Sequence, residues 1–321
     1  MAADYDHFLS SRVNRLLRGT KTEALSRVAR SLPVLTVVMG FRRATAGIRT
    51  LPNTFLMGAT KAGTTALTSV LWNHPAHVEP IDKELMYLQQ LPGFMSEWET
   101  HPLSSYLWGP YHAGHASFSA LGYRKFFPLK LSMFLRRKRM GFAFTSDCDP
   151  FNLYCEAASQ KIREITPEPR IILSLREPIS RAFSDWNMHR SFGDSRSFDQ
   201  AVRDEMSGQI AVFRQRFLYQ SIYAPHVRRI LNTFNRSQVM IIRAEDFFAD
   251  PKRIARELDQ FLQLPSHDLD LETVRRSQNT RPYPKELEPK TSQMLKSFFR
   301  PHNQELFELL GTDYGWDDFS P

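Results

Sequence analysis

Residues 53–67 read NTFLMGATKAGTTAL. The apolar run Asn53 to Gly58 has the composition of a β-strand, and it enters a turn rich in Gly and Thr. Thr64 to Asn73 then reads as a helix, closed by His74-Pro75 because proline cannot continue a helical ladder. A strand, a tight loop and a helix start in this order aim backbone N–H groups and the positive end of the helix dipole at one spot, which suits an anion. The predicted cradle is Gly58, Ala59, Thr60, Lys61, Ala62, Gly63, Thr64 and Thr65, with the two glycines letting the backbone bend close to its ligand. A nucleotide kinase or ATPase carries lysine directly after the second glycine, as G-x-x-x-x-G-K-[ST], with the next hydroxyl on magnesium. Here Thr64 fills that slot and the lysine stands inside the loop as Lys61.

Outward from this stretch the same form recurs. Arg170 to Leu175 (RIILSL) reads as a strand, followed by Pro178 and a helix to about His189. Gln238 to Arg243 (QVMIIR) reads as another, followed by an amphipathic helix over Phe247 to Leu262. Arg281 to Pro289 is a proline-rich loop, and a helix from about Thr291 to Leu310 closes the chain. Strands alternating with helices predict an α/β fold around a mostly parallel sheet. Leu91 to Lys138 shows little period and reads as an irregular insert of the kind that carries specificity. Its run Arg136 to Arg139 reads as a solvated loop face, with contact to an anionic acceptor as the alternative. His112 and His115 lack a third ligand, so no metal site is expected.

The chain has 321 residues, 42% hydrophobic, with a net charge of +8. That length supports one large core. The positive charge suits nucleic acid, anionic membranes, acidic glycans or a phosphorylated cofactor alike and names no partner. Residues 1–50 hold nine Lys or Arg against three Asp or Glu. With Leu9, Val13, Leu16 and Leu17 at helical spacing, this basic, partly helical segment either packs on the domain formed by residues 51–321 or makes a weak peripheral membrane contact. The apolar run Leu32 to Phe41 is about half the ~20 residues a membrane-spanning helix needs. The only cysteines, Cys148 and Cys155, read as buried thiols in a reducing compartment, and cytoplasmic residence is the expectation.

Taken together, GATKAGTT (Gly58 to Thr65) and ILSLREPISRAFSDW (Ile172 to Trp186) resemble the two anion-binding motifs of sulfotransferases that use 3'-phosphoadenosine 5'-phosphosulfate (PAPS). The likeness to the heparan sulfate 3-O- and N-sulfotransferase type and its soluble bacterial-like relatives continues through YRKFFP (Tyr123 to Pro128), SIY (Ser221 to Tyr223), AEDFFADP (Ala244 to Pro251) and FFRPHNQELFELLG (Phe298 to Gly311). The resemblance implies a three-layer α/β fold like that of the P-loop kinases, with its parallel sheet at the centre. It also implies transfer of a sulfuryl group to a hydroxyl or amine of a small-molecule or glycan acceptor, with adenosine 3',5'-bisphosphate as product and no metal. Lys61 is then the residue that stabilises the leaving phosphate, and Arg176 and Ser184 bind the 3'-phosphate as a planar charged fork and a short hydroxyl. Arg281 stands where relatives place a basic residue in a loop over the donor. Glu84, in DKELMYL, takes the position of the family's catalytic base.

Read without the resemblance, Arg176 pairs with Glu177 or Asp185, and Glu84 is an exposed residue opening a helix. His74, His77 and His189 are alternative bases. Asp147-Cys148-Asp149-Pro150 replaces a segment that carries lysine in some relatives, and gives an expectation of a negative pocket face suited to a neutral or cationic acceptor. Two other functions fit the composition: a P-loop kinase, and a basic nucleic-acid or membrane binder without catalysis. Nucleic acid is not expected as a partner, and the motifs carry no reading of oligomeric state.

Overall fold

The computed structural model describes residues 32–89, 118–191, 193–210, 216–276 and 287–316. The expected helix near Leu9 to Leu17, the pair His112 and His115, and the loop with Arg281 lie outside them. Four strands form the sheet: β1 (Thr54–Gly58), β2 (Ser146–Cys148), β3 (Arg170–Leu175) and β4 (Val239–Arg243). The described helices, in chain order, are α1 (Leu32–Ala44), α2 (Thr64–Asn73), α3 (Ala120–Arg124), α4 (Lys130–Met140), α5 (Glu156–Ile165) and α6 (Pro178–Arg190). They continue with α7 (Phe198–Met206), α8 (Ala224–Thr233), α9 (Ala244–Ala249), α10 (Pro251–Phe261), α11 (Leu271–Arg276) and α12 (Pro289–Leu310). None of them is long and apolar enough to cross a membrane.

All strands run parallel in the order β2-β1-β3-β4. A parallel sheet needs cover on both faces, because its crossover connections are helices. The side chains obey this. Phe55, Met57, Ile171, Leu173 and Val239 point into one core with residues of α5 and α8. Their neighbours Leu56, Ile172 and Ile242 point into a second core with Leu67, Val70 and Leu71 of α2 and Ile254, Ala255 and Leu258 of α10. Alternation with period 2 on a sheet buried on both sides makes three layers, as expected. A third apolar cluster, with Trp186, Phe198, Phe217 and Phe299, joins α6, α7 and α12 beside the sheet.

Three local expectations change. β2 is a strand that the sequence hides, since a three-residue SDC run has neither length nor β-branched residues to announce it. The single helix expected over Phe247 to Leu262 is two, because Pro251 has no N–H to continue α9; Asp250 leaves the helical region at φ −140° and caps α10 by accepting from Arg253 N at 3.0 Å. Lys130 to Met140, which overlaps the end of the stretch read as irregular, is helical. Buried periodicity is absent there because no residue of α4 is fully buried, and Arg137, Lys138 and Arg139 complement the negative end of its dipole.

Candidate active site

The topology gathers the motifs. β1 is central, and the chain leaves it for β2 on one side while β3 flanks the other. Such a reversal of strand order opens a crevice at the carboxyl ends of the strands. The Gly58 to Thr65 loop leaves β1 there, Arg176 directly follows β3, and Asp149 directly follows β2. Neighbouring parallel strands lie ~5 Å apart, so both anion motifs emerge side by side.

Two glycines of the loop are required by contact. A Cβ on Gly58 (φ 152°) would meet Leu153 Cβ at 2.6 Å and Pro150 O at 2.8 Å, and one on Gly63 (φ 76°) would meet Phe248 at 2.8 Å. Other members of the predicted cradle turn inward. Ala59 N donates to Ser174 O at 2.6 Å, Ala62 N to Ala59 O at 3.3 Å, and Ala62 O accepts from Ser174 Oγ at 2.6 Å. Thr60 Oγ1 donates to Gln220 Oε1 (3.0 Å) and accepts from Arg181 Nη1 (2.9 Å). The main-chain N–H groups of Gly63, Thr64 and Thr65 are placed to face an anion at the start of α2, where the first turn has no carbonyls behind it to bond. That arrangement fits a phosphate.

Lys61 adopts a positive φ of 63°, and its ammonium lies 3.6 Å from Met188 Sδ on α6. Glu84 also has a positive φ, 53°. A non-glycine residue held in the left-handed region costs about 1–3 kcal/mol and persists where surrounding contacts impose it. For Glu84 the contacts are clear: its N–H donates to Cys148 O at 2.8 Å, and Met86 N donates to Asp149 Oδ2 at 2.7 Å. The end of β2 thus fixes the Glu84 segment beside the loop. Lys83 completes the link, with Nζ 2.9 Å from Glu84 Oε1 and 3.0 Å from Thr65 Oγ1. A bridge between residues 18 positions apart has no sequence signature.

Arg176 reaches Lys61 O with Nη1 at 3.2 Å, and its guanidinium lies 5.8 Å from the centre of the Phe248 ring. Neither carboxylate named as a partner engages it. Asp185 is held by Arg181 at 3.1 Å, and Glu177 caps α6 by accepting from Ile179 N and Ser180 N at 2.9 and 2.6 Å. Among the described residues Arg176 therefore has no acidic partner, and a guanidinium so placed beside an anion loop suits a second phosphate. Ser184, half-buried on α6, lies about two helical turns further on.

Two of the other quoted segments, SIY and AEDFFADP, brace these groups. Tyr223 OH donates to Arg176 O at 2.8 Å, Glu245 Oε1 accepts from Glu177 N at 2.8 Å, and Ser221 Oγ accepts from Arg181 Nε at 2.6 Å. Arg181 is fully buried and holds Thr60, Ser221 and the Phe217 carbonyl together. Its only sequence signal is the i, i+4 spacing to Asp185.

Two sets of expectations fail on geometry. Asp147 and Asp149 form no pocket face, since both are 1% exposed. Tyr123 OH donates to Asp147 Oδ2, while Asp149 accepts from Met86 N and Phe151 N. Burial pushes the Asp147 carboxyl well above the usual range, and nearby Asp149 adds to the shift. A raised folded pKa means the folded chain favours the neutral acid, so this contribution is full below the ordinary carboxylate pKa and is lost as pH rises. Asp147→Asn removes the titration while its amide oxygen still accepts from Tyr123. The variant is expected to gain stability relative to wild type as pH rises from about 5 to 8, by up to ~1.4 kcal/mol per pH unit, in denaturation midpoints measured across that range. A constant difference would show that Asp147 does not titrate there.

The histidines separate as well. His74 closes α2, ten residues from Thr64, which places it ~15 Å from the loop. Its Nδ1 accepts from Ala76 N at 3.0 Å, so the neutral ring carries its proton on Nε2, 3.1 Å from Pro265 O. That proton leaves no lone pair for a metal in the cluster His74, Asp259 and His267. His77 bonds Ser146 Oγ at 3.0 Å, at the amino end of β2, and burial drives its pKa down to about 3. Both lie at the wrong edge of the sheet for a base in the crevice. His189, on the last turn of α6 next to Met188, is the only one of the three near Lys61.

The sulfotransferase domain family matches residues 51–305. The chain belongs to that family. It is 24% identical over 293 residues to heparan sulfate glucosamine 3-O-sulfotransferase 3B1 of Mus musculus, covering 85% of this chain and 66% of the relative. It is 25% identical over 289 residues to the bifunctional heparan sulfate N-deacetylase/N-sulfotransferase 4 of Mus musculus, covering 81% of this chain and 30% of the relative. The chain thus spans less than two thirds of each of these curated relatives. A solved sulfotransferase from Alicyclobacillus acidocaldarius superposes with a TM-score of 0.61 at 24% identity, covering 84% of this chain and all of that one. The shared fold is the P-loop-kinase-like three-layer architecture described above.

Proposed function

We propose that this sulfotransferase moves the sulfuryl group of PAPS to a hydroxyl or amine of a carbohydrate or small-molecule acceptor. The observation that carries the reading is the Lys83 bridge, which ties the carboxylate of Glu84 to Thr65 of the anion loop and so supports Glu84 as the base and the loop as the phosphate site. In this reading Gly63, Thr64 and Thr65 hold the 5'-phosphate. Arg176 and Ser184 hold the 3'-phosphate, and the resemblance adds Arg281 as a further basic residue for the donor. The acceptor oxygen or nitrogen attacks sulfur in line, the bond from sulfur to the phosphate oxygen breaks, and Glu84 takes the acceptor's proton. Lys61 stabilises the charge that develops on the departing phosphate. The curated relatives act on heparan sulfate, which favours a carbohydrate or other hydroxyl-bearing acceptor. With Asp147 and Asp149 withdrawn into the core, no preference for a cationic acceptor remains part of the reading. Cys148 and Cys155 are both buried and free, which suits a reducing compartment, and cytoplasmic residence is proposed with the activity.

Incubation with labelled PAPS and a panel of acceptors, read by mass spectrometry for an added sulfuryl group, tests the reaction directly. Ligand binding tests the donor site. Adenosine 3',5'-bisphosphate at 100 times its dissociation constant is expected to stabilise the protein by ~2.7 kcal/mol, seen as a raised thermal midpoint. ATP with magnesium should do much less, and equal shifts from the two would return the kinase reading.

A further inference from the structure

Helix α4 presents to solvent what globular proteins usually cover. It packs through its Ser132, Met133 and Arg136 side, while Leu131, Phe134 and Leu135 are each more than half exposed. These three share one helical face by their i, i+3, i+4 spacing. Beside them stand Lys130, Arg137, Lys138 and Arg139, all exposed, with Lys138 Nζ 5.2 Å from the centre of the Phe134 ring. Adjoining segments extend the pattern. Lys130 Nζ reaches Gly47 O at 3.4 Å, Arg49 pairs with Leu129 as an isolated β-bridge, and Phe41, Ile48 and Leu121 are each more than half exposed. Residues 32–50 and 118–146, which build this region, contain ten Lys or Arg and no Asp or Glu.

We infer that this face docks on an anionic lipid surface, with α4 lying in the headgroup plane. A short helix with apolar residues on one side and flanking Arg and Lys is the chemistry of an interfacial helix, since the apolar side chains enter the acyl boundary while the cations meet lipid phosphates. Nucleic acid or an acidic glycan would use the charges but has no place for Leu131, Phe134 and Leu135. A second copy of the chain is disfavoured, because a twofold interface sets the same cationic patch against itself. Residues 1–31 carry six Lys or Arg and three Asp or Glu, so their charge has the same sign as the patch. Membrane contact through residues 1–50 is one of two sequence expectations for that segment; the inferred face centres on α4 instead. The face lies at the amino ends of the strands, where Thr50 N bonds Pro128 O just before β1. Docking there leaves the crevice at the carboxyl ends open to the aqueous phase.

Flotation of the full chain with vesicles tests the inference independently of catalysis. The chain is expected to bind phosphatidylcholine vesicles containing phosphatidylserine and not pure phosphatidylcholine, with binding that weakens as salt shortens the Debye length. Changing Arg137, Lys138 and Arg139 together to Glu should lower the vesicle partition coefficient roughly 100-fold or more. Changing Leu131, Phe134 and Leu135 together to Ser should lower it at least ~10-fold, with an unchanged thermal midpoint showing that the fold is intact. The inference is overturned if the full chain binds neither vesicle or both equally. It is also overturned if the Ser variant binds as wild type does, which would mark a purely electrostatic surface, or if that variant turns a dimer into a monomer by sedimentation.

Discussion

Glu84→Gln is expected to lower turnover roughly 100-fold or more while the protein folds and binds adenosine 3',5'-bisphosphate as wild type does. The substitution keeps the shape of the side chain and an oxygen to accept from Lys83, and the main-chain bond from Glu84 to Cys148 is untouched. What it removes is the capacity to take a proton. An acceptor oxygen must lose its proton as it bonds to sulfur, so the loss falls on the rate of the chemical step. Donor affinity should hardly move, because the carboxylate in this reading serves the acceptor. Lys83→Met gives a complementary result, since it breaks the bridge to Thr65 and leaves the carboxylate in place but unanchored. A Gln variant that transfers sulfate at near wild-type rate would remove Glu84 from the mechanism. His189 would then be tested first, because His74 and His77 sit at the far end of α2 and at the amino edge of the sheet.

Arg176→Ala is expected to weaken adenosine 3',5'-bisphosphate by about 2 to 5 kcal/mol, or ~30-fold to a few thousand-fold, in a calorimetric titration. The guanidinium has no carboxylate partner among the described residues, so its charge is available to the ligand rather than neutralised inside the protein. It also bonds Lys61 O, and loss of that bond could loosen the anion loop itself. Adenosine 5'-phosphate separates the two effects. It lacks the 3' group but uses the same loop, so its affinity should change little. Equal losses for both ligands would make Arg176 a brace of the loop and not a phosphate ligand. Arg176→Lys should recover only part of the affinity, since a point charge replaces a planar fork.

The sequence by itself determined the elements whose signals are local. β1, β3 and β4 are short apolar runs bounded by turn residues, and α2 and α6 start and stop at glycine and proline, so their bounds were legible to within a residue or two. The two anion motifs were legible for the same reason, because a loop between strand and helix presents its backbone wherever the rest of the chain lies. Tertiary structure decided everything that depends on which distant side chains meet. Only the strand order shows that β1 and β3 are neighbours and that the motifs converge. Only packing shows that Thr60 turns inward to Arg181 and Gln220 while Thr65 turns to Lys83. Asp147 and Asp149 look like surface charges in sequence because carboxylates are seldom fully buried. Asp149 is buried here because the amides of Met86 and Phe151 supply the hydrogen bonds that water would otherwise give, whereas Asp147 receives only the Tyr123 hydroxyl and its Oδ1 has no partner among the described residues. Such compensation comes from residues up to 63 positions away, and no window along the chain contains it.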